Sequence, residues 1–457
     1  MKIEEVAEEW SAYALGKELL PRDLPADAVL RAADNKVAVI SGVRRCGKSS
    51  FLMLLAQRLR SNGKKVCYVN LEDYRFVGET DVLDRLLGWF GDEGYLLLDE
   101  VTSMPGWDGW LLRVHELMKG RIRLIVSSSR RSVRSPSRPL RGRCVYFDLF
   151  PLSFSERLSF LGVEQGNTVV QKGAVKRQIE EHLAYGGFPE VVLQKDPSER
   201  TRTLLSYHRE IVGLDMAAET GMERGLVDLF SKYLLRAPYF SATACTNFLR
   251  GLGYKVGKDK VLELERAAAD SMLFHFLSVR SSSVKDMAQQ PRKVYAGDLG
   301  LHIVGGTEDR GRKLENLVCL ELLRRLEPGE ELFYWKDTAG AVVDFLLISG
   351  LKTMSAIQVC YDPGQPKTLG RELRGLERCT DSMRPERCMM ITGNVSAIYE
   401  LDGMTVEAVP LSEWLLQGSA VGEKVMRPVL KAIRRGRPPR NDFRRLTGSA
   451  CPGSGTG

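Results

Sequence analysis

Residues 42–49, which read GVRRCGKS, constrain the fold of this chain more than any other feature. The apolar run 36–40 precedes them, and the apolar-striped segment 50–59 follows them. This pattern predicts a buried strand, a tight loop and a helix, in that order. The spacing G-x-x-x-x-G-K-S is typical of a loop whose backbone N–H groups cradle a di- or triphosphate. A glycine-rich turn that matches by chance is the alternative.

The positions of this loop have predicted parts in binding phosphate. Glycines let the backbone approach the ligand, and Lys48 reaches the β- and γ-phosphates. Ser49 offers its hydroxyl to Mg²⁺, and the helix that starts there points its positive dipole end at the phosphates. The residues predicted to contact a nucleoside triphosphate are Gly42, Val43, Arg44, Arg45, Cys46, Gly47, Lys48, Ser49 and Ser50.

Further apolar runs follow the loop, and each is predicted to be a strand: 65–70, 95–100, 121–127 and 144–149. Helical patterns separate most of them, which indicates an alternating α/β fold with a parallel sheet. One run ends in Asp99 and Glu100. Asp99 is predicted to hold the Mg²⁺ shell, usually through water, and Glu100 to polarise the attacking water. Adjacent carboxylates in a solvated loop are the alternative.

The stretch after the fourth strand leaves alternatives open. Ser127 either senses the γ-phosphate or belongs to a serine-rich turn. Residues 130–143 hold six arginines and no acid. They form a solvated face, a nucleic-acid contact, or a source of an arginine for a neighbouring subunit's nucleotide. Arg143 is the preferred candidate for such an arginine finger, and Arg141 is second.

Composition excludes several classes of protein. No apolar run of about 18 residues is present, and the acidic, amphipathic segment 1–10 is unlike a signal peptide. The nine cysteines are scattered singly without a C-x-x-C pair, which disfavours a metal site or a disulfide framework. We therefore expect a cytoplasmic protein with no membrane partner.

The C-terminal tail carries the basic character of the chain. From Lys424 onward, nine Lys and Arg stand against Asp442 alone, which accounts for the whole net charge of +8. The string at 434–440, RRGRPPR, is similar to the core of AT-hook peptides, which lay arginines into narrow A·T minor grooves. DNA is therefore a candidate partner, through the tail and the arginine-rich stretch. A solvated tail that binds any polyanion weakly is the alternative.

Two regions between the first sheet and the tail have predicted structures. Residues 161–235 show apolar spacing near 3.6 and would form a helical lid beside the nucleotide. Residues 236–290 resemble a winged helix, whose second helix, here 258–276, can enter a DNA major groove. Because that helix has four acids against three bases, packing between domains is the favoured alternative.

Residues 291–415 form a second α/β region that resembles the restriction-endonuclease fold, with Glu315 on a predicted helix. That fold holds Mg²⁺ through an Asp followed by E-x-K, and Asp344 matches the first position. Gln358 and Cys360 stand where the second carboxylate and the lysine belong. A degenerate scaffold is therefore predicted, although a lysine from elsewhere, Lys352 or Lys367, could substitute.

An ordered set of strings points to a family. They are GVRRCGKS, LLLDEV with PGW behind it, LRGR, LFPLSFSE, YGGFPE, KVYAGD, LENLV, YW, VDF and IQVCY. Over roughly residues 20–410, the chain resembles the prokaryotic AAA-type ATPases whose C-terminal half is a domain of unknown function. The resemblance implies ATP as the nucleotide and an additional-strand P-loop core like those of AAA proteins and RecA-like motors.

These observations predict six segments and three candidate functions. The functions are an ATPase that drives a conformational change in its C-terminal domains, a nucleotide-dependent binding switch with little turnover, and an ATP-gated nuclease. Glu100 favours turnover, whereas Gln358 and Cys360 disfavour the nuclease. If Arg143 is a finger, hydrolysis requires a homo-oligomer. The segments are an N-terminal helical part (1–30), the ATPase core (31–160), the lid (161–235), the winged-helix-like part (236–290), the second α/β domain (291–415) and a disordered basic tail (416–457).

Overall fold

A computed structural model describes residues 2–134, 142–281, 283, 287, 289–401 and 404–417. Three predicted features lie outside the described residues: Arg141, a further part of the arginine-rich stretch, and the AT-hook-like string at 434–440. Two helices open the chain, α1 (Ile3–Gly16) and α2 (Ala26–Ala33). Within the described part of the chain, no helix is both long and apolar enough to cross a membrane.

Five parallel strands build the first sheet. Their bounds are Val37–Ser41 (β1), Val66–Asn70 (β2), Gly94–Asp99 (β3), Ile122–Ser128 (β4) and Cys144–Asp148 (β5). The spatial order is β2-β3-β4-β1-β5, so β1 lies between β4 and β5, the last two strands of this sheet in sequence order. The linking helices are α3 (Lys48–Ser61), α4 (Val82–Phe90) and α5 (Trp107–Met118). The prediction of a parallel α/β core is confirmed.

Both faces of this sheet are covered, which explains why its strands are continuous apolar runs. All five residues of β1 are buried. Ala38 and Ile40 belong to the hydrophobic core on one face, whereas Val37 and Val39 belong to the core on the other.

Helix α1 packs against β2, although the sequence placed residues 1–30 in a segment of their own. The Ser11 hydroxyl donates to the carbonyl of Tyr68 at 3.2 Å, and the Trp10 indole donates to Asp73 at 2.8 Å. These contacts attach the N-terminal helix to the edge of the first sheet.

A helical region follows the first sheet. Its α-helices are α6 (Phe154–Phe160), α7 (Val169–Tyr185), α8 (Pro189–Leu193), α9 (Pro197–Glu210), α10 (Ala218–Thr220) and α11 (Arg224–Arg236). A π-helix, Ile211–Ala217, connects α9 to α10. The helical periodicity of this region is present, and its role as a lid stays a prediction.

A small three-stranded sheet comes next. It comprises β6 (Tyr239–Phe240), α12 (Ala242–Gly251), α13 (Lys258–Asp270), β7 (Phe274–Leu277) and β8 (Arg292–Ala296), with β8 antiparallel to both neighbours. The prediction that a helix runs to residue 276 is wrong, because α13 ends at Asp270 and Met272 is left-handed at φ 56°. Residues 274–277 pair with β8 instead, so this sheet crosses the boundary predicted at 290.

A third sheet, larger than the small one, completes the described chain together with its helices. Its elements are α14 (His302–Gly305), α15 (Arg310–Arg325), β9 (Glu330–Lys336), β10 (Val342–Ser349), β11 (Lys352–Cys360), α16 (Pro366–Met383), β12 (Arg387–Thr392), β13 (Ala397–Leu401), β14 (Met404–Pro410) and α17 (Leu411–Leu416). Strands β9, β10 and β11 form an antiparallel meander, and β11, β12 and β14 run parallel. A second α/β unit is therefore present, whereas its likeness to restriction endonucleases stays a prediction.

Candidate functional site

The loop between β1 and α3 has a backbone that its sequence requires. A Cβ atom at Gly42 would lie 2.1 Å from the Leu149 carbonyl oxygen, so only glycine fits there. Gly47 has a left-handed φ of 103°, and Arg45 shares that conformation at 71°. Helix α3 begins directly at Lys48, which aims the first N–H groups of the helix at the cradle of the loop.

Lys48 is buried and folds back over this loop. Its ammonium donates to the Gly42 carbonyl at 3.0 Å and to the Ser129 hydroxyl at 2.6 Å. It also lies 3.1 Å from a carboxylate oxygen of Glu100. Burial acts to lower the pKa of Lys48, but Glu100 and the other nearby negative groups outweigh it and raise that pKa. The side chain therefore carries a positive charge.

Asp99 lies at the carboxyl end of β3, completely buried. It accepts hydrogen bonds from the Tyr68 hydroxyl at 2.9 Å and from the Ser127 hydroxyl, and the Ser49 hydroxyl lies close enough to favour its charged form. Burial raises the pKa of Asp99, and the neighbouring Glu100 carboxylate adds to that rise. The structure thus brings together Ser49 and Asp99, the two predicted Mg²⁺ ligands, as a pair of the oxygen ligands that Mg²⁺ prefers.

Glu100 follows Asp99 in a left-handed conformation, with φ 53°, which is a strained state for a residue with a Cβ atom. Its carboxylate accepts from the Ser129 backbone N–H at 2.8 Å and from the Ser129 hydroxyl. Burial acts to raise the pKa of Glu100, but Lys48 and the Ser129 hydrogen bonds hold it below its ordinary value. Glu100 is therefore an ionised carboxylate that can accept a proton.

Two of the three consecutive serines at the end of β4, Ser127 and Ser129, contact different residues of this site. Ser127 donates to Asp99, and its oxygen accepts from the Glu100 backbone N–H at 2.9 Å. Ser129, which was not predicted from the sequence, contacts both Lys48 and Glu100. A run of three serines cannot show which hydroxyl faces the loop until the register of β4 is known. The γ-phosphate role of Ser127 stays a prediction.

Two arginines of the loop reach the helical region. The Arg44 guanidinium lies between Asp215 and Glu72, with N–O distances of 3.0–3.2 Å. Arg45 pairs with Glu210 at 2.8 Å. Of the other predicted loop residues, Val43 and Cys46 are buried, and burial raises the pKa of the Cys46 thiol. Ser50 belongs to the first turn of α3.

Arg22 holds the loop from the other side and had no signal in the sequence. It donates to the Cys46 carbonyl at 2.8 Å and to the Phe150 carbonyl at 2.7 Å. It also pairs with Glu156 at 2.7 Å, and each side chain of the pair is 4% exposed. The link between α1 and α2 therefore fixes the backbone of the phosphate loop.

Arg143 is not part of this cluster. It immediately precedes β5, and its carbonyl accepts from the N–H of Val37, the first residue of β1. Because β1 and β5 are parallel, Arg143 lies at the edge of the sheet opposite the loop, about 16 Å away along a five-residue strand. Its side chain pairs with Glu116. A finger role is therefore open to Arg143 only toward another copy of the chain.

A second polar cluster joins the small sheet to the larger sheet. The buried Lys293 ammonium is 2.7 Å from Asp344 and 2.8 Å from Glu315. Lys293, on β8, is therefore the cation beside Asp344, whereas the sequence offered Lys352 or Lys367 as residues that could substitute for the missing lysine. Gln358 donates to Glu372 rather than facing an ion. Among the described residues, no three His, Cys, Asp or Glu side chains are grouped so that they could hold a metal ion.

Comparison with known proteins gives a family match for the first sheet and relatives that cover most of the chain. Residues 34–158 match the family model described as an AAA domain. An uncharacterized protein of Methanocaldococcus jannaschii is 27% identical over 412 residues, which cover 85% of this chain and 90% of that protein. An uncharacterized protein of Haemophilus influenzae is 24% identical over 420 residues, which cover 88% and 100%.

Solved structures show only distant likeness. The AMPPCP-bound DnaA from Aquifex aeolicus is 16% identical with a TM-score of 0.27, and the match covers 53% of this chain and 86% of that one. The S. cerevisiae Hsp104–ADP complex is 14% identical with a TM-score of 0.33, covering 58% and 41%. The family match over 34–158 includes all residues from Gly42 to Ser129, and it supports an AAA-type ATPase domain at the phosphate loop.

Proposed function

We propose that the chain is an ATPase that hydrolyses ATP with Mg²⁺ and transmits the nucleotide state to its C-terminal units. The observation that carries this proposal is the contact of Lys48 and Glu100 with one hydroxyl, that of Ser129, beside the glycine cradle. A cation for phosphate and an ionised base for water therefore stand next to each other. A domain that only binds nucleotide has no need of the base.

The residues fit ATP and Mg²⁺ in the following roles. The loop N–H groups and Lys48 bind the phosphates, and Ser49 with Asp99 would hold Mg²⁺, which neutralises charge on the phosphate oxygens when bound. Glu100 accepts the proton of the attacking water once Lys48 has turned to the phosphates. Ser129 keeps the carboxylate oriented while that partner changes. Tyr68 and Ser127 hold Asp99 in place.

Contacts with the C-terminal units support the conformational output. After β4, the Ser132 hydroxyl donates to Asp270 of α13 at 3.0 Å. The Gly187 N–H donates to Asp298 at 2.7 Å, which joins the helical region to the segment after β8. Movement at the nucleotide edge of the first sheet therefore has a direct route to α13, and movement of the helical region has one to the segment after β8.

The test measures binding and steady-state hydrolysis of ATP with Mg²⁺ for wild type, Lys48→Ala and Glu100→Gln. Lys352→Ala and Glu386→Gln, a solvent-exposed pair, are matched controls. We expect Lys48→Ala to lose binding, and Glu100→Gln to bind ATP but hydrolyse it about 100-fold or more slowly. Wild type that binds tightly without turnover would instead be a nucleotide-dependent switch. Wild type that binds no ATP would overturn the proposal.

Two further arms address partners. Turnover is measured with and without A·T-rich duplex DNA, because the basic tail is the proposed DNA contact. Turnover per molecule is also measured over a range of protein concentrations. A rise with concentration that Arg143→Ala abolishes would support an arginine finger in a homo-oligomer. Turnover indifferent to DNA would shift the proposal to a protein-directed output.

A further inference from the structure

The phosphate loop is tied to the helical region by carboxylates. Arg44 pairs with Asp215 on the π-helix, and Arg45 pairs with Glu210 at the end of α9. The Arg45 guanidinium also lies over the Tyr207 ring, 5.3 Å from its centroid. Both arginines occupy variable positions of the G-x-x-x-x-G-K-S pattern, at the mouth of the predicted phosphate cradle.

The Arg44 guanidinium is engaged on both sides. Its Nε and Nη2 atoms donate to the two oxygens of Asp215 at 3.1 and 3.0 Å. Its Nη1 and Nη2 atoms donate to the two oxygens of Glu72 at 3.2 and 3.0 Å. Paired N–H groups facing paired oxygens form the fork that also binds phosphate. The two carboxylates thus take the hydrogen bonds that a phosphate group would take.

Asp215 has an unusual setting for a carboxylate in a helix. Its side chain is only 3% exposed, whereas the Glu72 side chain is 40% exposed. It lies on a seven-residue π-helix, a rare conformation that occurs frequently at functional sites. The neighbours Ile211, Val212 and Met216 are buried in the apolar core. The π-helix therefore presents one buried charge to the loop while Ile211, Val212 and Met216 stay packed in the core.

We propose that Asp215 is an autoinhibitory residue, whose carboxylate holds Arg44 away from the phosphates of an incoming nucleotide. This inference rests on the proposed nucleotide binding and adds its regulation. The anionic phosphates and Asp215 compete for one guanidinium fork, so nucleotide binding and the Arg44–Asp215 pair oppose each other. By thermodynamic reciprocity, a bound nucleotide must loosen the contact between the loop and the π-helix. The helical region then detects occupancy through the loss of an ion pair.

Calorimetric titration with Mg²⁺ and AMP-PNP, a non-hydrolysable ATP analogue, tests the competition. We expect Asp215→Asn to bind AMP-PNP about 5–10-fold more tightly than wild type, the size of a typical coupling between two sites. The matched control is Asp228→Asn, which removes the same charge from α11, where Asp228 pairs with Lys232. Glu72→Gln weakens the other half of the fork at a more exposed position. It must also tighten binding, which keeps the test valid if Asp215→Asn misfolds.

Two readouts separate competition from a structural role. In an Arg44→Gln background, the Asp215→Asn substitution must no longer change the affinity. Hydrogen exchange across 211–217 must rise when AMP-PNP binds to wild type, and must already be high in Asp215→Asn without it. Tightening that persists without Arg44 would overturn the inference. So would unchanged or weaker binding by both Asp215→Asn and Glu72→Gln while wild type binds normally.

The two proposals fail differently. If neither wild type nor any variant binds AMP-PNP, the proposed function falls and this inference falls with it. If wild type binds and the fork variants do not tighten, only the autoinhibitory role of Asp215 is overturned.

Discussion

The Lys48 ammonium lies 2.6 Å from the Ser129 hydroxyl, and this contact joins the phosphate loop to the residue that follows β4. The same hydroxyl donates to Glu100. Ser129 therefore orients two charged groups of opposite sign, both of them buried. Without it, Glu100 would keep its charge but lose a donor that orients its carboxylate.

Ser129→Ala should lower kcat for ATP about 10- to 100-fold, the loss typical of removing a residue that orients a catalytic group. Affinity for ATP should change much less, because the loop N–H groups and Lys48 remain. Steady-state kinetics with an independent binding measurement separates the two effects. Ser132→Ala is the control, since Ser132 bonds Asp270 instead. An unchanged kcat would remove Ser129 from the catalytic arrangement.

Tyr68→Phe should destabilise the fold by about 1–3 kcal/mol, since it removes a hydrogen bond from the buried Asp99 carboxylate. Urea unfolding measures the free energy. Tyr74→Phe, at a side chain that is 81% exposed, should leave it within about 0.5 kcal/mol of wild type. Equal effects of the two substitutions would show that the Tyr68 hydroxyl does not support Asp99.

Stability should begin to fall well above the range in which carboxylates titrate. Burial lowers the pKa of His208 to about 4, although Asp228 opposes this. Below the unfolded-state pKa of about 6.5, the unfolded chain binds a proton that the folded chain refuses. The free energy that neutral His208 contributes to stability is present in full above that pH and is lost as the pH falls toward 4.

Burial also lowers the pKa of His182, His275 and His302, so the share of this dependence that comes from His208 must be isolated by substitution. His208 should account for about 2 kcal/mol of lost stability between pH 7 and pH 5, at about 1.4 kcal/mol per pH unit below 6.5. Urea unfolding of wild type and His208→Gln at both pH values measures it. The variant should lose that part of the slope. An identical slope would mean that His208 has the same pKa in the folded and unfolded states.

Lys293→Met should cost about 3–5 kcal/mol of stability, because it leaves the buried Asp344 and the half-buried Glu315 without their cation. Lys352→Met, at a side chain that is 76% exposed, should cost less than about 0.5 kcal/mol. Thermal and urea unfolding compare the pair. A small effect at Lys293 would show that the two carboxylates do not depend on its charge.

Much of the site was predicted from the local spacing of residues, because the strand, loop and helix around Lys48 lie within one short stretch. Side chains brought in from distant segments had no such signal. Arg44 and Asp215 are 171 residues apart, and Arg22 and Glu156 are 134 apart. Lys293 precedes Asp344 by 51 residues and lies on a strand of another sheet. Such pairs arise from tertiary packing, which periodicity and motif spacing do not encode.

The predicted site residues lie at two opposite ends of the parallel strands. The loop residues, Asp99, Glu100 and Ser127 gather because parallel strands bring their carboxyl ends to one edge of the sheet. Arg143 stands before a strand and therefore lies at the opposite edge. The helix predicted to reach 276 stopped at Asp270, because pairing of Phe274–Leu277 with β8 overrode the apolar periodicity.

The position of β1 between β4 and β5 also affects how the chain is made. Ser41, which ends β1, contacts Asp148 of β5, 107 residues later. At translation rates of 5–20 residues per second, the ribosome needs about 5–20 s to supply that partner. Until then β1, an apolar strand, lacks at least one of its two neighbours and is exposed to other nascent chains and to chaperones. Nucleotide cannot assist this early stage, because its cradle exists only after the last strand of the sheet has been synthesised.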